Sequence, residues 1–82
     1  MQAIMYSTDH CTLCEQALDM LLSMPELAGA QLEVVDIAGN TALEERYAAC
    51  LPTLLLVDGD TRLALEWPFN TQRVRDSLGQ FE

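Results

Sequence analysis

The 82-residue chain is half apolar and about one-fifth charged, which fits one globular domain and excludes a disordered segment. Four arginines, no lysine and thirteen acidic residues give a net charge of −9, so nucleic acid and anionic membrane surfaces are not expected partners. No apolar run approaches the roughly 20 residues that span a bilayer, and no cationic leader precedes the first apolar segment, so a cytoplasmic monomer is expected.

Residues 2–7 read as the first strand, with Ala3-Ile4-Met5-Tyr6 a short apolar run of the kind buried on both faces. From Thr12 the period changes. Cys14, Ala17, Leu18, Leu21 and Leu22 recur at helical spacing, with Glu15, Asp19 and Ser23 opposite them. Pro25 and Gly29 are expected to end this helix. Residues 32–37 form a second strand rich in β-branched side chains. Asn40 or Thr41 caps a short helix over residues 42–49, and Glu44 and Glu45 suit the positive end of its dipole. Leu51-Pro52 closes that helix, because a residue before proline is pushed out of the helical region.

Residues 53–57 then read as a buried strand and Asp58-Gly59 as a hairpin turn. Residues 62–67 alternate, with Leu63, Leu65 and Trp67 facing one way and Ala64 and Glu66 the other. Pro68 breaks that strand; Asn70 or Thr71 caps a last helix that runs through Leu78 and stops at Gly79. The order βαβαββα predicts an α/β fold, a mixed four-stranded sheet flanked by helices.

Three cysteines are an odd number, and a structural disulfide framework is a poor explanation in a reducing compartment. Cys11-Thr12-Leu13-Cys14 lies where a buried strand meets an amphipathic helix. Cys11 falls at the helix cap, where unpaired N–H groups and the positive end of the macrodipole stabilise a thiolate. His10 adds positive charge when protonated, while Asp9 and Glu15 oppose it. Cys14 begins the apolar stripe and is expected to be the more buried sulfur. An exposed attacking sulfur beside a sheltered one is what dithiol exchange requires: the outer thiolate attacks a disulfide and the inner thiol resolves the mixed species. Burial alone explains Cys14 but not Cys11, which lies outside the stripe.

Two other readings stay open. Cys11, Cys14 and Cys50, with His10 as a fourth donor, form a soft-metal set for zinc or copper, although adjacent His10 and Cys11 are awkward ligands for one tetrahedral ion. A redox-inactive adaptor, with the cysteine pair vestigial, is the other. Cys50 itself reads either as a small buried residue near a helix end or as an extra resolving thiol. Tyr6, Trp67 and Phe69 read as core or groove-lining aromatics.

Tyr6-Ser7 leading into Cys11-Thr12-Leu13-Cys14, then Leu51-Pro52-Thr53, Asp58-Gly59 and Trp67-Pro68-Phe69, resemble the glutaredoxin-like branch of the thioredoxin superfamily. Within it, the chain is most similar to short bacterial glutaredoxin-like proteins with a Cys-x-Leu-Cys motif. The resemblance implies a thioredoxin-like, glutaredoxin-type fold and thiol–disulfide exchange with a protein or small-molecule disulfide. Cys11 would be the nucleophile and Cys14 the resolving thiol. It also implies a cis Leu51–Pro52 bond beside the dithiol, where the Leu51 backbone would hold a substrate as an added strand. No cofactor is implied, only an external reductant such as glutathione or a thioredoxin-type system. Where glutaredoxins carry Cys-Pro-Tyr-Cys, a preceding lysine, Thr-Val-Pro and a later Gly-Gly-x-Asp, this chain has Thr12-Leu13, no lysine, Cys50-Leu51-Pro52 and no Gly-Gly. Arg46 is then the candidate for a glutathione carboxylate, and a protein disulfide stands beside glutathione as substrate.

Overall fold

The computed structural model describes residues 1–47 and 51–81. In chain order these form β1 (Gln2–Ser7), α1 (Thr12–Leu22), a 3-10 turn (Pro25–Leu27), β2 (Gln31–Asp36), α2 (Thr41–Tyr47), β3 (Thr53–Asp58), β4 (Thr61–Glu66) and α3 (Thr71–Gly79). The strands make one mixed sheet in the order β2-β1-β3-β4. β1 runs parallel to β2, from Gln2↔Gln31 to Ser7↔Asp36, and antiparallel to β3, from Gln2↔Val57 to Tyr6↔Thr53. A parallel pair needs a crossover, and α1 supplies it. The α/β arrangement and its four strands are those expected from the sequence.

Side-chain alternation decides which face is sealed. Ala3, Met5 and Ser7 of β1 and Leu54 and Leu56 of β3 are buried on one face, where Leu65 of β4 joins them. α1 contributes Cys14, Ala17 and Leu21 to the same core, and α3 contributes Val74. β1 is thus not buried on both faces: Ile4 and Tyr6 are only half-buried. The reason is unequal cover. α2 lies over the second face with seven residues, none of them buried.

The apolar stripe of α1 is narrower than expected, because Leu22 is 68% exposed. At about 100° per residue, Leu21 lies within about 20° of Cys14 around the helix axis, whereas Leu22 is about 80° away. α1 ends at Ser23, whose N–H bonds Asp19 O at 3.2 Å, before Pro25 is reached. Pro25 opens the 3-10 turn instead, a first-turn position that its fixed φ suits. That turn brings Met24 and Leu27 into the core.

Other boundaries shift by a residue. β2 starts at Gln31, and Ile37 lies just past its end, buried, donating its N–H to Ser7 O at 3.0 Å. β3 extends through Asp58, so the hairpin loop is Gly59-Asp60 rather than Asp58-Gly59. Gly59 has φ +60°, and glycine at the first loop position is the type II′ preference. Asn40 caps α2 through Leu43 N–H (3.1 Å), and Asn70 caps α3 through Arg73 N–H (2.8 Å). α3 includes Gly79, which has no positive φ and does not stop it; Gln80 is the C-cap. The expected end of the second helix at residues 48–49, and Cys50, lie outside the described residues. Among the described residues, no helix is long and apolar enough to cross a membrane.

Candidate functional site

β1 delivers the chain to the dithiol through a four-residue connection, Thr8 to Cys11. His10 takes φ +57° there, in the left-handed region that costs an L-residue about 1 kcal/mol or more. Its backbone therefore has a part in the turn that its side chain did not announce. Cys11 follows in extended geometry (φ −102°, ψ 98°) as the N-cap of α1. Its Sγ accepts the Cys14 N–H at 3.1 Å, and its carbonyl accepts the Glu15 N–H at 3.1 Å. A sulfur thus fills the place usually taken by a serine or aspartate oxygen.

Cys11 and Cys14 are joined as a disulfide, with Cα atoms 5.2 Å apart. The two sulfurs are unequally sheltered: Cys11 is partly exposed, whereas Cys14 is 4% exposed within the core. Between them, Leu13 points outward and is 45% exposed. The Cys14 N–H and the start of α1 both face the Cys11 sulfur.

The Leu51–Pro52 bond is cis. Thr53, which follows, pairs with Tyr6 near the end of β1, so the sheet register brings Leu51-Pro52 to the end from which Cys11 emerges. Leu51 and Cys11 pack against the same core, and Pro52 is fully buried. The Pro52 carbonyl accepts the Trp67 N–H at 3.1 Å, tying the exit of β4 to this end as well. Trp67–Pro68 is a second cis bond. Trp67 meets Phe69 edge to face, with centroids 5.2 Å apart, and Phe69 is buried in the core.

A cavity of about 250 Å³ opens beside the disulfide, rimmed by Asp9, His10 and Glu15 and floored by Ser7 and Cys14. Two carboxylates to one imidazole make this rim unwelcoming to anions. Among the described residues, no three His, Cys, Asp or Glu side chains converge as a metal site.

Arg46 does not line that cavity. It lies under α2 on the opposite sheet face, its guanidinium carbon 5.5 Å from the centre of the Tyr47 ring. Tyr47 in turn stacks on Tyr6, with centroids 4.2 Å apart and planes 13° from parallel. This pairing joins α2 to β1, and Tyr6, expected as a core or groove-lining aromatic, is half-buried on the α2 face. Burial, reinforced by the Tyr47 phenol, pushes the Tyr6 phenol above its ordinary value of 10.0, against the pull of Arg46 and Arg62. The neutral phenol is the form the fold favours. Its contribution is complete below the unfolded-state value and is lost as pH rises through the higher folded one. In a pH titration followed on the Tyr6 ring signals by NMR, that ring should ionise above pH 10; ionisation at or below pH 10 would overturn the shift.

A thioredoxin-type sheet with a Cys-x-x-Cys disulfide at the head of its first helix defines the class. The sequence matches the glutaredoxin-like domain (DUF836) over residues 2–79, and the chain belongs to that family. Comparison with curated proteins gave no match. Among solved structures it is similar to target protein XcR50 from X. campestris, at 31% identity and TM-score 0.76, covering 95% of this chain and 96% of that one. It also superposes on thioredoxin 1 from Thermosipho africanus (17% identity, TM-score 0.76, 99% and 93% covered). Oxidized thioredoxin O2 from Arabidopsis thaliana gives 17% identity and TM-score 0.69, with 96% and 72% covered. These last two likenesses concern the fold.

Proposed function

We propose that the protein is a thiol–disulfide oxidoreductase in which Cys11 attacks and Cys14 resolves. The observation that carries this reading is the cap geometry: a partly exposed Cys11 sulfur accepting an N–H bond at the start of α1, with its partner sulfur buried one turn on. The Cys11 thiolate attacks a substrate disulfide, forming a mixed disulfide and releasing one substrate thiol. Cys14, losing its proton, then attacks Cys11 Sγ, closing the 11–14 disulfide and releasing the second thiol. Two electrons pass from the dithiol to the substrate. An external thiol reductant, glutathione or a thioredoxin-type system, returns them, so the protein belongs where thiols are kept reduced, in the cytoplasm. Leu51 and Pro52 seat the substrate beside the dithiol. The acidic rim of Asp9 and Glu15 favours a neutral or basic protein disulfide over anionic glutathione.

The deciding experiment is a redox titration in thiol–disulfide buffers with mass-spectrometric mapping of all three cysteines. A reversible two-electron transition confined to Cys11 and Cys14 is expected. Should Cys50 pair first, or no reversible transition appear, the assignment of roles falls.

A further inference from the structure

The chain has only four arginines, and two of them, Arg46 and Arg62, line one cavity of about 500 Å³ on the α2 face of the sheet. They come from separate elements, α2 and β4, and the charge of each acts on the Tyr6 phenol, which lines the same cavity. Among the described residues neither guanidinium has an ion-pair partner; the ion pair seen is Arg75–Glu26, elsewhere. Concentrating positive charge in this way is unusual on a chain of net charge −9. Arg46 rests over the Tyr47 ring, Tyr47 is stacked on Tyr6, and the backbone of Arg62 is fixed in the β3–β4 ladder opposite Val57.

The remaining walls set what else a ligand must be. Leu43, Leu55 and Ala64 give the cavity an apolar side, and its volume falls in the range of small-molecule sites. Glu66 lies on the same cavity, so the lining carries one net positive charge, enough for one anionic group but adverse to two.

We propose that this cavity binds a small monocarboxylate with an apolar or aromatic body. A guanidinium fork suits a carboxylate in shape and charge, and two such side chains line this cavity. The Tyr6 phenol is uncharged at neutral pH and so adds no negative charge to the lining. The apolar wall covers the body of the ligand, and Glu66 turns away dianions such as phosphate. The site lies on the opposite sheet face from the Cys11–Cys14 disulfide, so it stands or falls independently of thiol exchange.

The test is to titrate the oxidised full-length protein with phenylacetate, and separately with inorganic phosphate at matched ionic strength, following arginine Nε–H and tyrosine ring signals by NMR. Saturable shifts of Tyr6, Tyr47, Arg46 and Arg62 with phenylacetate are expected, with phosphate binding more weakly. Arg46→Gln and Arg62→Gln should each weaken binding about tenfold, as loss of a charge-assisted pair implies, while Arg75→Gln leaves it unchanged. Spectra of the variants report directly that each still folds. Non-saturating shifts, equal binding by Arg62→Gln, or a preference for phosphate would each overturn the proposal.

Discussion

Cys11→Ser is expected to reduce disulfide exchange to background, a loss on the order of 10³-fold or more, since a serine hydroxyl is not ionised at neutral pH and the neighbouring Cys14 is buried. Cys14→Ser should behave differently. The first attack survives, because the N–H that faces the Cys11 sulfur belongs to the backbone of residue 14 and is retained on substitution. Resolution is lost, and the mixed disulfide on Cys11 accumulates as a covalent adduct visible by intact mass. The pair of variants separates chemistry from architecture. If Cys14→Ser turned over at the parental rate without accumulating adduct, Cys14 would be a packing residue and the dithiol mechanism would be wrong. If Cys11→Ser retained activity, the nucleophile would lie elsewhere. Alkylation offers an independent check on the reduced protein: Cys11 should react faster than free cysteine at neutral pH, and Cys14 more slowly, in keeping with their unequal exposure.

What could be read from the sequence was local or periodic. The placement of Cys11 at a helix cap needed only the change from strand to helix period around Thr12, and the geometry at Cys11 follows it. The alternation of Leu63, Leu65 and their outward neighbours likewise placed the core face of β4, since a strand's side-chain period is two. Features that depend on backbone detail were not legible. His10 at positive φ has no signature beyond the tolerance of its residue type for that region, and the cis Leu51–Pro52 bond rested on family resemblance, because isolated X–Pro bonds are overwhelmingly trans. Long-range pairings were invisible for another reason. Tyr6 meets Tyr47, and Arg46 shares a cavity with Arg62, only once the register of β1, β3 and β4 is fixed and α2 is laid across them. Arg46 illustrates the cost: a helix turn before Cys50, it reads from sequence as the candidate for a glutathione carboxylate, whereas the structure places it on the other face of the sheet from the disulfide.

The core makes the second large prediction, and it contrasts two leucines that composition cannot distinguish. Leu54 is fully buried in β3, flanked by β1 on one side and β4 on the other, whereas Leu22 sits at the end of α1 with most of its surface in solvent. Truncating Leu54 to alanine removes buried methyl groups and leaves a void that its neighbours on two strands cannot collapse into without breaking ladder hydrogen bonds. A cost of about 3 kcal/mol is expected. For a domain of this size that corresponds to a fall in Tm of roughly 12–24 °C, a large share of the stability such a chain has. Leu22→Ala should stay within about 0.5 kcal/mol of the parent. Urea denaturation of the oxidised forms measures both, and the m-values should agree, since neither change alters the surface exposed on unfolding by much. A Leu22→Ala penalty approaching that of Leu54→Ala would mean that α1 is rotated by most of a residue, which would carry Cys14 out of the core and remove the difference in shelter on which the two cysteine roles depend.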